Sequence, residues 1–428
     1  VTTATRLTLN LLCVVAASLC WAAPSAALIP LLEWGEDDEG RRAEWSLSGQ
    51  LRDMLAVQKI PYDTGGLLSE TNGINASVAR LQWRLALWDT VVLDLQQRLY
   101  WQLTAEPLVV GGGLGVGATR STQRTVDLRS DWIQTPTHTL RHDLDRLSIS
   151  IQSEDLDLTL GRQSITWGRS NLFVVSDIWT QFSPFELDTS QKPGIDGARA
   201  LTSWADGAAE LEAVVIDRGR WQDLSGGLRL NTYLDWGDVS AAVAWERQRL
   251  MLLADLSWAL DGATARLDAS WVVTNTDGAA PRAPRVTVGY DYIALSDWLL
   301  SAEYHFNGWG ASDPDDYLEV ARSEESQRGE LYWLGMHYAG LIASWSATEL
   351  LSLTFAAIGN LTDPSVNLIP SALYRLSDAT EISLGAYVGL GRYPSLTDAA
   401  GAPLLAPTLR SEFGNQGSLI YVQMASYF

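Results

Sequence analysis

Cysteine is all but missing from this 428-residue chain: the only two, Cys13 and Cys20, lie in its first 20 positions. The rest is thiol-free, which excludes disulfides, zinc–thiolate sites and cysteine nucleophiles from the body of the protein. Histidine is scarce, with four residues, His138, His142, His305 and His337. A hydrolase would need one of them beside a serine and oriented by a third group, and their spacing identifies no such partners, so no enzyme is predicted. Positive charge is in deficit, 30 basic residues against 51 acidic for a net charge of −21, and a nucleic-acid partner is not expected. After residue 27 no apolar run approaches the roughly 20 residues that a spanning helix requires. A large plug domain is not expected either, because residues 28–44, LIPLLEWGEDDEGRRAE, are a short acidic lead-in.

What is present begins with VTTATRLTLNLLCVVAASLCWAAPSAA, in which Arg6 precedes an apolar core from Leu7 to Trp21 and a run of small residues. That order predicts a secretory signal peptide cleaved after Ala27. Lipoprotein processing at Cys20 is disfavoured, since bulky Leu19 stands where a small residue is wanted. A soluble secreted protein and an outer-membrane barrel both remain compatible with this start. The other end, SLIYVQMASYF, favours the barrel, with Ile420, Val422, Met424 and Phe428 on one parity. A strand closing on an exposed aromatic resembles the last strand of bacterial outer-membrane barrels, where that residue is read by the barrel-assembly machinery.

Between the ends one pattern repeats: segments of about ten residues alternate apolar and polar, the length and period of tilted spanning strands. Leu81, Trp83, Leu85 and Leu87 alternate with Arg80, Gln82 and Arg84, and Ala265, Leu267, Ala269 and Trp271 alternate with Thr264, Arg266, Asp268 and Ser270. Very short links recur at Asp89-Thr90, Ser153 to Asp155, Asp206-Gly207, Gly237-Asp238, Asp261-Gly262, Ser296-Asp297, Ser346 to Glu349 and Ser377 to Thr380. Longer links fall between them, near 55–75, 104–141, 168–195, 217–224, 274–284, 307–328 and 391–416, with short exceptions near 247–249 and 361–364. Alternating short turns and long loops are what an antiparallel barrel has when one rim faces the periplasm and the other the outside. Trp88, Trp204, Trp236, Trp258, Trp298 and Trp345 cluster by the short turns, as an interfacial aromatic girdle would. Residues 329–345 are too long for one strand and stay ambiguous.

The fold predicted is all-β, a transmembrane antiparallel β-barrel of about 18 strands. Residues 1–27 are the signal peptide, 28–44 a periplasmic lead-in and 45–428 the barrel.

Two motifs invite a site and do not carry one. GGGLGVG at 111–117 is followed by no helical period, so it lacks the helix N-terminus that a phosphate cradle uses. SDPDDYLE at 312–319 offers Asp313, Asp315, Asp316 and Glu319, but the spacing is not that of a calcium loop and an acidic outer loop explains it. The informative set is the polar parity of the strands, which holds Arg52, Arg80, Arg84, Arg98, Arg199, Arg229 and Arg266. It also holds Asp94, Glu210, Glu212, Glu246, Asp255, Asp268, Asp291 and Glu303. A lipid-facing Arg or Lys costs about 2–4 kcal/mol near the bilayer midplane. These side chains are therefore expected to face a water-filled lumen, a basic wall of early strands opposite an acidic wall of later ones. Pairing across neighbouring strands would leave little net field, and both arrangements remain open.

In LTLGRQSITWGRS, residues 158–170, Leu158 and Leu160 take the lipid parity, Asp157, Thr159 and Gln163 the lumen parity, and Trp167 is expected near the outer interface. The loop that follows is too apolar to extend into water, and its Phe173, Asp177, Trp179, Phe182, Glu186, Asp188 and Lys192 are predicted to form a constriction inside the barrel. LGRQSITWGRS, an aromatic Asp/Pro-rich loop and then GIDGARAL together resemble large porins of the alginate-export and substrate-selective families. That resemblance implies a monomeric or trimeric channel whose inner loop and lumen arginines select solutes, often anionic ones, and the many lumen acids here depart from it.

The function predicted is therefore a porin of the bacterial outer membrane, passing small hydrophilic solutes or ions by passive diffusion. Export of an acidic polysaccharide, or hydrolysis in a barrel, are the alternatives. No cofactor or metal is expected. The expected partners are outer-membrane lipid and lipopolysaccharide, the barrel-assembly machinery through Phe428, and in one alternative two further copies as a homotrimer.

Overall fold

The computed structural model describes residues 32–34, 43–59, 71–88, 90–105, 124–180, 191–276, 282–294, 297–397 and 403–428. Eighteen antiparallel strands form its wall. They are β1 (Ala43–Lys59), β2 (Thr71–Leu87), β3 (Val91–Thr104), β4 (His138–Gln152), β5 (Asp157–Gln163) and β6 (Ile195–Trp204). Next come β7 (Ala209–Ile216), β8 (Ser225–Leu234), β9 (Gly237–Glu246), β10 (Arg249–Leu260), β11 (Ala263–Asn275) and β12 (Arg285–Ala294). The circuit ends with β13 (Trp298–Asn307), β14 (His337–Ser346), β15 (Leu351–Asn360), β16 (Ser365–Ser377), β17 (Thr380–Leu390) and β18 (Ser418–Tyr427). Each strand pairs with the next, and β18 pairs with β1 from Gln50↔Tyr427 to Lys59↔Ser418, so the ring closes. Closure leaves no unpaired edge, the condition a sheet meets to stand in hydrocarbon.

Period-two alternation then gives each strand one outer and one inner row. The outer row is apolar: Leu252, Trp258, Trp271, Val288, Tyr290, Leu300, Tyr304, Leu341 and Phe355 are all exposed. Trp88, Trp204, Trp236, Trp258, Trp298 and Trp345 are exposed at the short-turn rim, where Trp298 and Trp345 stack with ring centroids 5.4 Å apart. Among the described residues these short turns lie close to where the alternation placed them, except that Gly237 and Asp238 open β9, Ser346 and Ser377 close β14 and β16, and Thr380 opens β17; Asp89 and Ser296 lie outside the described residues. The ambiguous stretch divides at His337. Residues 308–336 are a loop of the opposite rim carrying two short helices, α1 (Tyr317–Arg322) and α2 (Glu324–Arg328), and the strand follows. Asp313 serves this loop as a helix cap, accepting from the Asp315 N–H at 3.0 Å. The lead-in contributes a short strand, Leu32–Trp34, paired with the start of β1. GGGLGVG lies outside the described residues.

One strand is too short. β5 has only seven residues because the chain leaves the wall after Gln163. Ser130–Gln134 pairs with the upper part of β4 and continues the wall above it. Residues 124–127 cover Arg162, which is only 3% exposed. Arg162 donates to Asp196 at 2.7 Å and to the Leu144 and Val126 carbonyls, while Arg124 pairs with Asp143 and Asp145. Buried charges are tolerable only when paired and hydrogen-bonded like this. Gly161 precedes Arg162 at φ +109, and a β-carbon there would run into the Leu147 carbonyl. Gly161→Ala is therefore expected to destabilise the barrel by about 1–3 kcal/mol. The measurement is the midpoint of urea unfolding followed by heat-modifiable gel mobility.

Candidate functional site

Residues 164–180 turn into the barrel, and the reason is their composition. Ile165, Trp167, Phe173, Val175, Ile178 and Trp179 would each be exposed in an outward loop, and each is buried here. Burying an aromatic or aliphatic side chain is worth about 1.5–3 kcal/mol. The wall accommodates them by changing its inner row. On β2 that row is polar toward the short-turn rim, with Arg80, Gln82 and Arg84, and apolar toward the other, with Ile74, Ala76 and Val78. Phe173 packs with Met54, Ile74, Trp333 and Tyr338 and stacks on His305 at 5.0 Å. Ile165, Trp167 and Trp179 pack against Val214, Ile216, Met251, Leu253 and Val272.

The segment is held by carboxylates of the wall. Glu303 on β13 accepts three successive backbone N–H groups, from Asn171 at 2.7 Å, Leu172 at 3.0 Å and Phe173 at 3.1 Å. Asp268 on β11 accepts from the Val175 and Ser176 N–H groups at 3.3 and 3.1 Å. The segment's carbonyls find partners as well: Arg266 donates to Arg169 O, Thr287 to Phe173 O and Arg285 to Val175 O. A strip of backbone without secondary structure is thus paired almost as a strand would be. Its neck is closed by the Thr180 hydroxyl on Ile165 O at 2.7 Å and by Lys192 on Asp177.

The predicted acidic residues all lie on the inner side, and most are partnered. Arg199 pairs with Glu212 at 2.6 Å, and Arg229 with Asp255 at 3.1 Å. Arg266 reaches both Asp291 at 2.8 Å and Glu303 at 3.1 Å, and Tyr233 donates to Glu210 at 2.7 Å. Arg169, from the inward segment, binds Asp238 and Asp255 at 2.8 and 2.6 Å. Glu246 lies beside the outer turn and is bound by Arg218 and Arg247. On the early strands Arg52, Arg80, Arg84 and Arg98 share the inner row, with Asp94 accepting from Gln82 at 2.7 Å. Arg84 is exposed to solvent toward the short-turn rim. Phe182, Glu186 and Asp188 lie outside the described residues.

Trp167 corrects an expectation. It is 1% exposed and sits inside the barrel, donating Nε1–H to Glu212 at 3.0 Å, because the chain has already left the wall at Gln163. Sequence alone gave no signal for Arg285, Thr287 and Asn171 as anchors, since a carbonyl or N–H acquires its partner only when the loop folds back. Among the described residues no serine hydroxyl bonds to any of the four histidines; His305 meets Thr287 at 3.0 Å, and His138 and His337 meet Trp101 and Tyr304. Among the described residues no group of three or more His, Cys, Asp or Glu stands close enough to hold a metal.

Three outer loops converge above the inward segment. Glu412 is buried and accepts from Leu334 N–H at 3.1 Å, Asn360 Nδ2 at 2.8 Å and the Tyr338 hydroxyl. Its own N–H donates to Asp363 at 2.6 Å. Burial pushes the Glu412 carboxyl up to about 7 against those three donors, and Asp363 adds to the rise.

No protein-family model and no curated protein matches the sequence. Solved structures do. OccK9 (OpdG) of Pseudomonas aeruginosa superposes with a TM-score of 0.56 at 10% identity, over 90% of this chain and 98% of its own. A BenF-like porin from Pseudomonas fluorescens gives 0.54 at 10% identity, over 92% and 100%. OccK5 (OpdH) of Pseudomonas aeruginosa gives 0.52 at 8% identity, over 90% and 97%. The likeness is one of fold.

Glu303→Ala leaves three backbone N–H groups without their acceptor, one of them, Phe173 N–H, buried at a cost of about 1–3 kcal/mol, and is expected to free the inward segment. In single-channel recordings it should raise mean conductance and open-state noise, whereas Glu210→Ala, which anchors no loop backbone, should do neither. Glu412 supplies a pH dependence. Its folded value lies above its ordinary 4.5, so its stabilisation is complete below pH 4.5 and is lost as pH rises through about 7. Protease resistance of the 391–417 loop should fall over that window, and Glu412→Gln should flatten the fall.

Proposed function

We propose that this protein is a porin of the bacterial outer membrane, a water-filled channel through which small hydrophilic solutes diffuse passively. The observation that carries the proposal is the joint arrangement of its two faces. A closed wall with an apolar, aromatic-margined exterior suits lipid, and its interior holds a fastened, largely buried segment that narrows the barrel without filling it with a separate domain. Outer-membrane lipid and lipopolysaccharide would surround the belt, and Phe428, whose backbone pairs with Gly49 at the foot of β1, would be the residue presented to the assembly machinery. The OccK and BenF-like porins share the architecture, which agrees with the similarity of LGRQSITWGRS and its aromatic loop to substrate-selective porins.

Selectivity would arise from an uneven lumen. The later strands use their acids to hold arginines and the inward segment, so those acids project less field than their number implies. Arg52, Arg84 and Arg98 with Lys192 would then line the path, and the buried Phe173, Asp177 and Trp179 would hold the constriction in place.

Refolded protein in a planar bilayer is expected to give discrete conductance steps. Silence from protein with β-sheet dichroism and heat-modifiable mobility would defeat the proposal. Arg84→Glu, at an exposed lumen position, should shift the reversal potential in a salt gradient toward cation preference without lowering the folded fraction.

A further inference from the structure

At its long-loop rim, the arc of wall from β7 to β13 gathers arginines that its acids do not balance. Arg218 and Arg247 share Glu246, whose Oε1 lies 3.1 Å from one and 3.2 Å from the other. Arg249 pairs with Glu330 at 2.5 Å, and Arg282 with Glu325 at 2.6 Å. Arg285 hydrogen-bonds only neutral groups, the Ser270 hydroxyl and the Glu330 and Val175 carbonyls. These five guanidinium groups face three carboxylates, a surplus of two positive charges. The next acid inward, Asp268, is already taken by the Val175 and Ser176 N–H groups. The surplus is enclosed as well. Arg285 is buried, and the side chains of Arg218, Arg247 and Arg249 are 2, 6 and 9% exposed.

The backbone is bent to place one of them. Arg247 and Gln248 form the two-residue turn between β9 and β10, at φ 45 and 69. A turn of this kind needs both residues left-handed and ordinarily uses Asn-Gly. Such strain persists where the surroundings require it, and it collects at ligand sites. A side chain at a turn tip ordinarily meets water, yet this one is buried. Among the described residues Arg218 Nε, Arg247 Nη1 and Trp309 Nε1 are buried donors without an acceptor. Trp309 belongs to the same cluster, its ring centroid 3.9 Å from the Arg285 guanidinium carbon. Buried cations are tolerable only when paired and hydrogen-bonded, and here both charge and acceptors fall short.

We infer that the loops at 217–224, 247–248 and 308–336 enclose a binding site for a small divalent oxyanion, phosphate or sulfate. Its two charges match the surplus, and its oxygens accept from several guanidinium N–H groups at once. A monocarboxylate would leave one charge unmatched. Arg282, whose side chain is 39% exposed, marks the solvent side from which the ion enters. Enclosure within the ring favours a free ion over a lipopolysaccharide phosphate, which stands in the outer leaflet. The ion is a fixed part of the outer loops and not a passing solute, so the inference goes beyond the channel reading and does not depend on what the lumen selects.

The test uses the full chain refolded in detergent free of lipopolysaccharide and phosphate. Equilibrium dialysis against radiolabelled orthophosphate is expected to show saturable binding of one ion per chain, displaced by sulfate and not by equal chloride. Arg247→Gln should weaken it by about tenfold or more, and Arg282→Gln, at the solvent margin, should weaken it less. Arg129→Gln, exposed on another loop, should leave it unchanged. Phosphate should also raise the protease resistance of the 308–336 loop in the native chain and not in Arg247→Gln, with heat-modifiable mobility showing that each variant is folded. The proposal is overturned by no retained phosphate, by uptake that never saturates, or by equal binding to folded Arg247→Gln. Retention of added lipopolysaccharide with no response to free phosphate would overturn it too. Conductance recorded on the same samples separates any of these outcomes from failure of the channel itself.

Discussion

Backbone N–H and C=O groups in hydrocarbon have no water to bind, and this one constraint organises the molecule. A sheet satisfies it only by closing on itself, and β18 meeting β1 is that closure. Once the ring is closed, period-two alternation has two destinations, lipid and lumen. The chain can then depart from the wall only where something else completes the pairing. β5 stops after seven residues, the wall above it is continued by Ser130–Gln134, and residues 124–127 cover Arg162 while Arg124 pairs with Asp143 and Asp145.

The departure creates the functional feature. A segment that leaves the wall carries unpaired backbone into the barrel, and carboxylates are suited to receive it because each can accept several N–H groups at once. Glu303 takes three and Asp268 two. The strongly acidic composition thus has an internal use: part of the lumen's negative charge is spent on fastening backbone and arginine, and its effect on a passing ion is correspondingly reduced. Buried pairs of this kind add little net stability compared with apolar packing. What they add is position, since a carboxylate with three donors fixes the segment's height and orientation in a way that Ile165 or Trp179 in an apolar cluster would not.

The wall itself was legible residue by residue. Leu81, Trp83 and Leu85 against Arg80, Gln82 and Arg84 gave β2 its faces, and the short turns gave the rim. Alternation failed where tertiary packing replaced water as the inner environment: Ile74, Ala76 and Val78 on β2, and Val214 and Ile216 on β7, are inward and apolar because loops pack on them. It failed differently at Trp167, where the strand has already ended at Gln163 and the ring lies inside the barrel instead of at the outer interface.

The sequence by itself therefore determined an all-β barrel of about 18 strands and the rim to which the short links belong, because both follow from a local period and from turn residues. Only the tertiary structure decided which charges oppose each other and which hold a loop. Arg266 meets Asp291 and Glu303 through strand register, and Glu303 meets Asn171 across 132 positions of chain. Contacts of that range depend on barrel closure and on where an irregular segment folds back, and neither leaves a local mark in the residues that make them.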